Sequence, residues 1–367
     1  MPEAARQPEM QCQLPRPHHI LAESISADWF HHERLIRRLS DCDVFADHPL
    51  ESQWGYAEAR LPTLTVEAAF SAHSGFQRLA SSDSPSSRDG MSHKAVRNGI
   101  LARAIVLLVF KIMKTRLFVR WFPQPNCIVY VTSKICIKST SFTSLAEAEA
   151  MKFVSSATTV PVPKVFLAFE HKKRVYIVME RLPGRSLDYG WAQRSAESKA
   201  RIFDQLRSMV QEIRKLQPPQ DCGVSNVCGG PIFDPRLPKS LHWGPFRSIR
   251  HFHRELRNGI ELDAVKDVST LPEGLENLIK FHEQPWDKPV FTHGDLSSLN
   301  IIADGDTVVG IIDWETAGWL PPYWEYTCAW DANPQNWFWQ QEVDNFLEAR
   351  PHDLEMETIR KRYFGAF

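Results

Sequence analysis

The stretch FTHGDLSSLNIIADGDTVVGIIDWETAGW, Phe291 to Trp319, sets a His, an Asn and several carboxylates around two short apolar runs. Asn300 follows Asp295 by five residues. The segment IIADGDTVVGII then reads as a β-hairpin, with Asp304-Gly305 as its two-residue turn signal between alternating apolar strands. Folding that hairpin returns Asp313 towards Asp295 and Asn300, so three oxygen-bearing side chains converge at one strand end. A hard cation such as Mg²⁺ takes oxygen ligands and keeps several waters. One amide and one carboxylate, Asn300 and Asp313, therefore suffice beside nucleotide phosphates. The remaining carboxylate, Asp295, can accept a proton from a substrate hydroxyl. A base, a metal-holding pair and positive charge elsewhere are the parts of phosphoryl transfer. Asp304 and Asp306 are assigned to the turn.

The rest of the chain sets bounds. Its 367 residues are 43% hydrophobic and carry a net charge of -1, which allows one large or two modest cores. That balance gives no global pull towards nucleic acid or anionic membrane. The first residues, MPEAARQPEMQCQLPRPHH, lack the apolar core of a secretory signal. Seven cysteines form no CxxC pair, so a reduced, cytoplasmic chain without a zinc site is expected. Local charge says more. Between Asp89 and Glu147 there is no acid but there are nine Lys or Arg, where average usage gives about six or seven acids. This is either a solvated basic face or a region that receives an anion.

Along the chain, residues 1–92 read as an irregular or helical extension, with helix around Ser26 to Leu39 and a Ser-rich linker at 81–90. Residues 93–182 read as a small nucleotide-binding lobe opened by a helix over 97–118. Its longest uninterrupted apolar run, Ala104 to Phe110, is seven residues, far short of the ~20 a membrane span needs. Arg103, Lys111 and Lys114 fall within about 80° of one another on that helix. A broad apolar face with a basic edge suits a helix packed on a domain, and also one lying on a membrane through residues 97–120. LFVRWF, NCIVYVT and KICIKS read as strands, and Leu145 to Ser155 as a helix. Two strands follow around the charged turn His171 to Arg174. Residues 183–367 read as a larger helical lobe: a helix from Ser195 to Leu216, a long Pro/Gly-rich connection over 217–250, helices at 248–258 and 271–282, and a Trp-rich helical tail.

HGDLSSLNI followed by IIDWETAGWLPPYWEY resembles the aminoglycoside phosphotransferase-like family, especially its fungal members. That resemblance implies an α+β, protein-kinase-like bilobal fold with a small β-rich lobe and a larger helical one. It implies ATP and Mg²⁺ as cofactors, Asp295 as catalytic base, Asn300 and Asp313 as metal ligands, and His293 as a structural organiser of the loop. Upstream, KICIKSTSFTSLAEAEAMKFV is similar to the family's lysine strand and following helix. Lys138 is then the phosphate-contacting lysine, with Glu147 or, second, Glu149 as its partner, since only one of the two faces it. VYIVMERLPGRSL resembles the linker between lobes, placing backbone groups of Glu180 and Leu182 beside adenine. GGPIFDPRL…GPF, 229–246, is similar to a family insert near the substrate cleft.

One departure stands out. FPQPNCIVYVTSKICIK, expected as the strand pair covering the phosphates, has no glycine to let backbone amides approach them. The expected function is ATP-dependent transfer of the γ-phosphate to a small-molecule hydroxyl; the alternative is an inactive kinase-like binding or regulatory module. Aminoglycosides, choline-like amines, amino-alcohols, sugars and protein hydroxyls remain open as acceptors. The tail tryptophans read as core packing, and Glu315, Glu325 and Asp331 as solvated surface acids.

Overall fold

A computed structural model of the chain describes residues 91–122, 127–237, 240–331 and 337–365, with the backbone alone for 91–98. The helix expected around Ser26 to Leu39 and the Ser-rich linker at 81–90 lie outside the described residues. Helix α1, Met91–Met113, belongs to one compact unit, and the residues from Arg116 onwards to another.

The second unit opens with α2, Arg116–Trp121. A single helix over 97–118 and a strand at LFVRWF were expected; instead α1 ends before Lys114 and LFVRWF is helical. At the break the Thr115 hydroxyl donates to the Ile112 carbonyl at 2.7 Å, giving that carbonyl a partner outside the helical ladder. Strand preference expresses fit to a half-buried pleated surface. Leu117 and Trp121 are 78% and 77% exposed, and no described strand pairs with them.

Strands β1 (Ile128–Tyr130), β2 (Ile135–Thr140), β3 (Val165–His171) and β4 (Arg174–Glu180) form an antiparallel sheet in the order β1-β2-β4-β3. β2 is buried along nearly its whole length, as a central strand should be. The β3–β4 connection is a two-residue turn in which Lys172 and Lys173 both take positive φ, 49° and 60°, the twist that suits a tight hairpin. Helix α3, Ala146–Ala157, buries Glu147, Ala148, Ala150, Met151 and Val154 on one face. The opposite face carries Glu149, which pairs with Lys152 at 2.8 Å in solvent.

The larger lobe starts after the short strand β5, Arg185–Ser186. Helix α4, Ala196–Arg214, is N-capped by Ser195, whose hydroxyl accepts from Ser198 N at 3.2 Å. Its apolar stripe Ile202, Phe203, Leu206, Val210 and Ile213 recurs at helical spacing and is buried. The Pro/Gly-rich connection is ordered by three two-residue strands, β6 (Ser225–Asn226), β7 (Ile232–Phe233) and β8 (His242–Trp243). Helices α5 (Ile249–Leu256) and α6 (Leu275–Glu283) follow, then β9 (Val290–Thr292), β10 (Ile301–Asp304), β11 (Thr307–Ile311) and β12 (Gly318–Leu320). The tail is α7 (Trp324–Trp330), α8 (Trp337–Gln340) and α9 (Pro351–Phe364). As expected, most tail indoles are core: Trp314, Trp319, Trp324 and Trp339 are fully buried, whereas Trp337 is exposed.

The hairpin forms as expected, antiparallel β10–β11, but its turn lies one residue later. Asp304 pairs with Thr307, which leaves Gly305 (φ 57°) and Asp306 as the central residues. Asp306 also does more than turn the chain. Its carboxylate accepts from Ser198 and from the Arg194 and Arg201 guanidiniums, docking the hairpin on α4.

Candidate active site

Three elements bring the side chains together. β2 supplies Lys138, α3 supplies Glu147, and the segment after β11 supplies Asp313 and Glu315. The Lys138 ammonium donates to Glu147 Oε1 at 2.9 Å, Asp313 Oδ1 at 2.5 Å and Glu315 Oε2 at 3.0 Å, so all three of its protons are engaged. Glu147, not Glu149, is thus the lysine's partner. Burial works against the Lys138 charge, but Asp313, Glu147 and Glu315 outweigh it and hold the ammonium well above the usual lysine range. Glu147 is pushed up by burial, with Lys138 opposing. Burial and the Asp313 charge hold Glu315 well above the usual carboxylate range.

Three carboxylates therefore face one ammonium, and oxygens of Glu147, Asp313 and Glu315 lie within 4.8 Å of one another. Acceptor oxygen in excess of positive charge fits an additional hard cation. Asp313 has the left-handed backbone, φ 64° and ψ 61°, which turns it out of the strand into this cluster.

The HGD loop lies between β9 and β10. Asn300 Nδ2 donates to both the carbonyl and Oδ2 of Asp295 at 2.9 Å, fixing that carboxylate and leaving Asn300 Oδ1 out of the pair. Ile312 N donates to Asn300 O at 2.9 Å, which ties the backbones of the Asp295–Asn300 pair and Asp313 side by side. His293 serves structure. Its Nδ1 accepts from Asp295 N at 3.1 Å and its Nε2–H donates to Ile312 O at 2.9 Å. Burial holds it below the usual histidine range, so the ring is neutral. Gly294 has φ 82°, and a Cβ there would stand 3.1 Å from Thr316 O, so the position needs glycine.

Glu180 and Leu182 are not drawn into this cluster. Ile135 pairs with Glu180 where Lys138 pairs with Ile177, placing Glu180 about 10 Å along the ladder from Lys138. The Glu180 amide is committed to Lys164 O at 2.9 Å, and its carbonyl meets the Cys136 thiol at 3.7 Å. Leu182 packs on the hairpin, where a Cβ on Gly310 would come within 2.1 Å of Leu182 Cδ1.

Three groups escaped the sequence reading. Glu315 is a Lys138 partner rather than a surface acid. Glu325, 3% exposed, accepts from His293 N at 2.7 Å and Gly294 N at 3.0 Å. Its signal was present: WEYTCAW is apolar all round, and an acid on a buried helix requires partners. Asp331, partly exposed like Glu315, pairs with Lys361. Arg236 is held by Asp234 at 2.8 and 3.0 Å and donates to the Gly294 carbonyl, and its Nη1 is buried without a partner.

The loop between β1 and β2 closes on itself. Thr132 Oγ1 accepts from Lys134 N and Ile135 N, both at 3.1 Å. Two amides that a glycine-rich loop would offer to phosphate are thus occupied.

The model of the phosphotransferase enzyme family matches residues 138–363, more than half of the chain. An aminoglycoside 3'-phosphotransferase of Niallia circulans is 25% identical over 185 residues, half of this chain and 62% of that protein. The chain thus spans under two thirds of that relative. Among solved structures, a thermostable mutant of aminoglycoside phosphotransferase APH(4)-Ia in ternary complex with ADP and hygromycin B superposes with TM-score 0.46 at 15% identity. The match covers 68% of this chain and 89% of that one. ADP-bound aminoglycoside phosphotransferase APH(2'')-Ib gives TM-score 0.41 at 13% identity, over 70% and 90% of the two chains.

Proposed function

Because the chain belongs to the phosphotransferase enzyme family, we propose that it moves the γ-phosphate of ATP to a hydroxyl of a small molecule. The observation that carries the reading is the Lys138 bridge. One buried ammonium joins Glu147 of the small lobe to Asp313 beside the HGD loop, where Asn300 fixes the Asp295 carboxylate.

In this reading Asp295 accepts the hydroxyl proton as that oxygen attacks the γ-phosphorus. The bond from phosphorus to the β,γ-bridging oxygen breaks and ADP leaves. Asn300 keeps the carboxylate aimed, so the catalytic gain is mainly positioning. Asn300 Oδ1 and Asp313 hold Mg²⁺, which when bound offsets the phosphate charge. All Lys138 protons are engaged, so its contact with phosphate requires a carboxylate to let go. Backbone groups of Glu180 and Leu182 receive adenine.

The second reading, a nucleotide-binding module without transfer, is favoured by the glycine-free β1–β2 loop with its self-satisfied amides. The two separate in melting experiments with ATP, with and without Mg²⁺, combined with ATP turnover over a broad hydroxyl library. The enzyme reading expects a Mg²⁺-dependent rise in melting temperature and turnover with at least one hydroxyl class. A shift indifferent to Mg²⁺, with no turnover, would overturn it.

A further inference from the structure

Helix α1 turns an apolar face outward. Ile100, Leu101, Leu108 and Ile112 are 62%, 61%, 59% and 50% exposed. At 100° per residue these four, with Ala104, lie within about 120° of one another, a continuous stripe. Val106 and Met113 point to the opposite side and are buried. The order is inverted from that of an ordinary surface helix, whose polar face meets water. Exposed apolar surface gathered on one face marks a site of contact rather than scattered exposure.

Among the described residues of this unit the charge beside the stripe is of one sign. Arg103 and, just past the helix end, Lys114 border its Ile100 edge, Lys111 lies within its span between Ile100 and Ala104 in projection, and no acid occurs between Asp89 and Glu147 in the sequence. Just beyond α1, Leu117 and Trp121 are again exposed, interleaved with Arg116 and Arg120. Among the described residues no helix is long and apolar enough to cross a membrane. Apolar side chains that can sink to the acyl boundary, and long basic ones that can reach the headgroups, are complementary to the surface of an anionic bilayer. A second copy of the same helix would set these basic edges against each other.

We propose that α1 is an interfacial helix that seats the protein on anionic membrane surfaces, through Leu101, Leu108 and Ile112 with Arg103 and Lys111 at the headgroups. The test is cosedimentation of the full chain with phosphatidylcholine vesicles, with and without phosphatidylserine, over a range of salt. Binding is expected to the phosphatidylserine vesicles and to weaken as salt rises. Leu101→Glu/Leu108→Glu is expected to abolish it, and Arg103→Glu/Lys111→Glu to reduce it severalfold, both with unchanged melting temperature in the absence of vesicles. Absence of binding to either vesicle overturns the proposal. So does binding that ignores salt and charge reversal, or self-association of the full chain that Leu101→Glu/Leu108→Glu abolishes without any vesicle binding.

Discussion

Glu325 fixes the HGD loop through two backbone amides that have nowhere else to turn. Replacing it by Ala leaves both donors buried and unsatisfied, at about 1–3 kcal/mol each. Glu325→Ala is therefore expected to lower the melting temperature markedly, and Glu325→Gln, which keeps one acceptor, to lower it less. Calorimetry on both variants checks the order. Lys138→Met should also destabilise, because it strands Glu147 at 1% side-chain exposure; losing one partner of a buried pair costs about 3–5 kcal/mol. Adding Glu147→Leu should restore much of that stability and none of the transfer, which separates the lysine's structural role from its chemical one. The side chains that were legible in the sequence, Asp295, Asn300 and Asp313, sit within a single short run whose hairpin closes the distance between them. Lys138 and Glu147 were legible as a strand–helix step of nine residues. Glu315, Glu325 and Arg236 were not. Their partners lie 177, 31 and 58 residues away, and no local periodicity encodes contacts of that span.

Among the elements, the β10–β11 hairpin links the Leu182 side chain, packed against Gly310, to Asp313 just past β11. Gly310→Ala puts a methyl against Leu182 Cδ1, the movable end of a side chain. The expected result is weaker nucleotide affinity with near-parent stability, read by titration calorimetry. Helices α5 and α6 meet through His253 and His282, stacked 4.2 Å apart. Burial lowers His253 to about 3 and His282 well below the usual 6.5. Both rings are neutral when folded and free to protonate when unfolded. Stability should be flat above about pH 6.5 and fall as pH drops towards about 3, by about 1.4 kcal/mol per pH unit for each group. Denaturation across pH 4–7 checks this, with His253→Gln expected to halve the slope. The LFVRWF segment marks where element reading fails: its composition is strand-like, but strand is decided by neighbours, and none pairs with it.

On the scale of the molecule, the compact unit that begins at Arg116 is a four-stranded sheet with α3 joined to a helical lobe through polar and aromatic contacts at the site. Phe153 of α3 stacks edge-on against Phe291 and Trp319, and Ile311 N donates to Pro161 O at 2.9 Å. The α+β class and the order of elements could be read from alternating and helical periodicities. The glycine-free β1–β2 loop could be read too, but not its internal capping by Thr132, which depends on one hydroxyl rotamer. Everything in the proposed reaction rests on Asp295 as the base. The most direct measurement is transfer of labelled γ-phosphate from ATP into a metabolite extract, comparing the parent with Asp295→Asn. The asparagine keeps the shape and a carbonyl for Asn300 but cannot take a proton at neutral pH. Transfer by the parent that falls at least a hundredfold in Asp295→Asn, with ATP binding retained, is the predicted result. Equal transfer by the two proteins would contradict it.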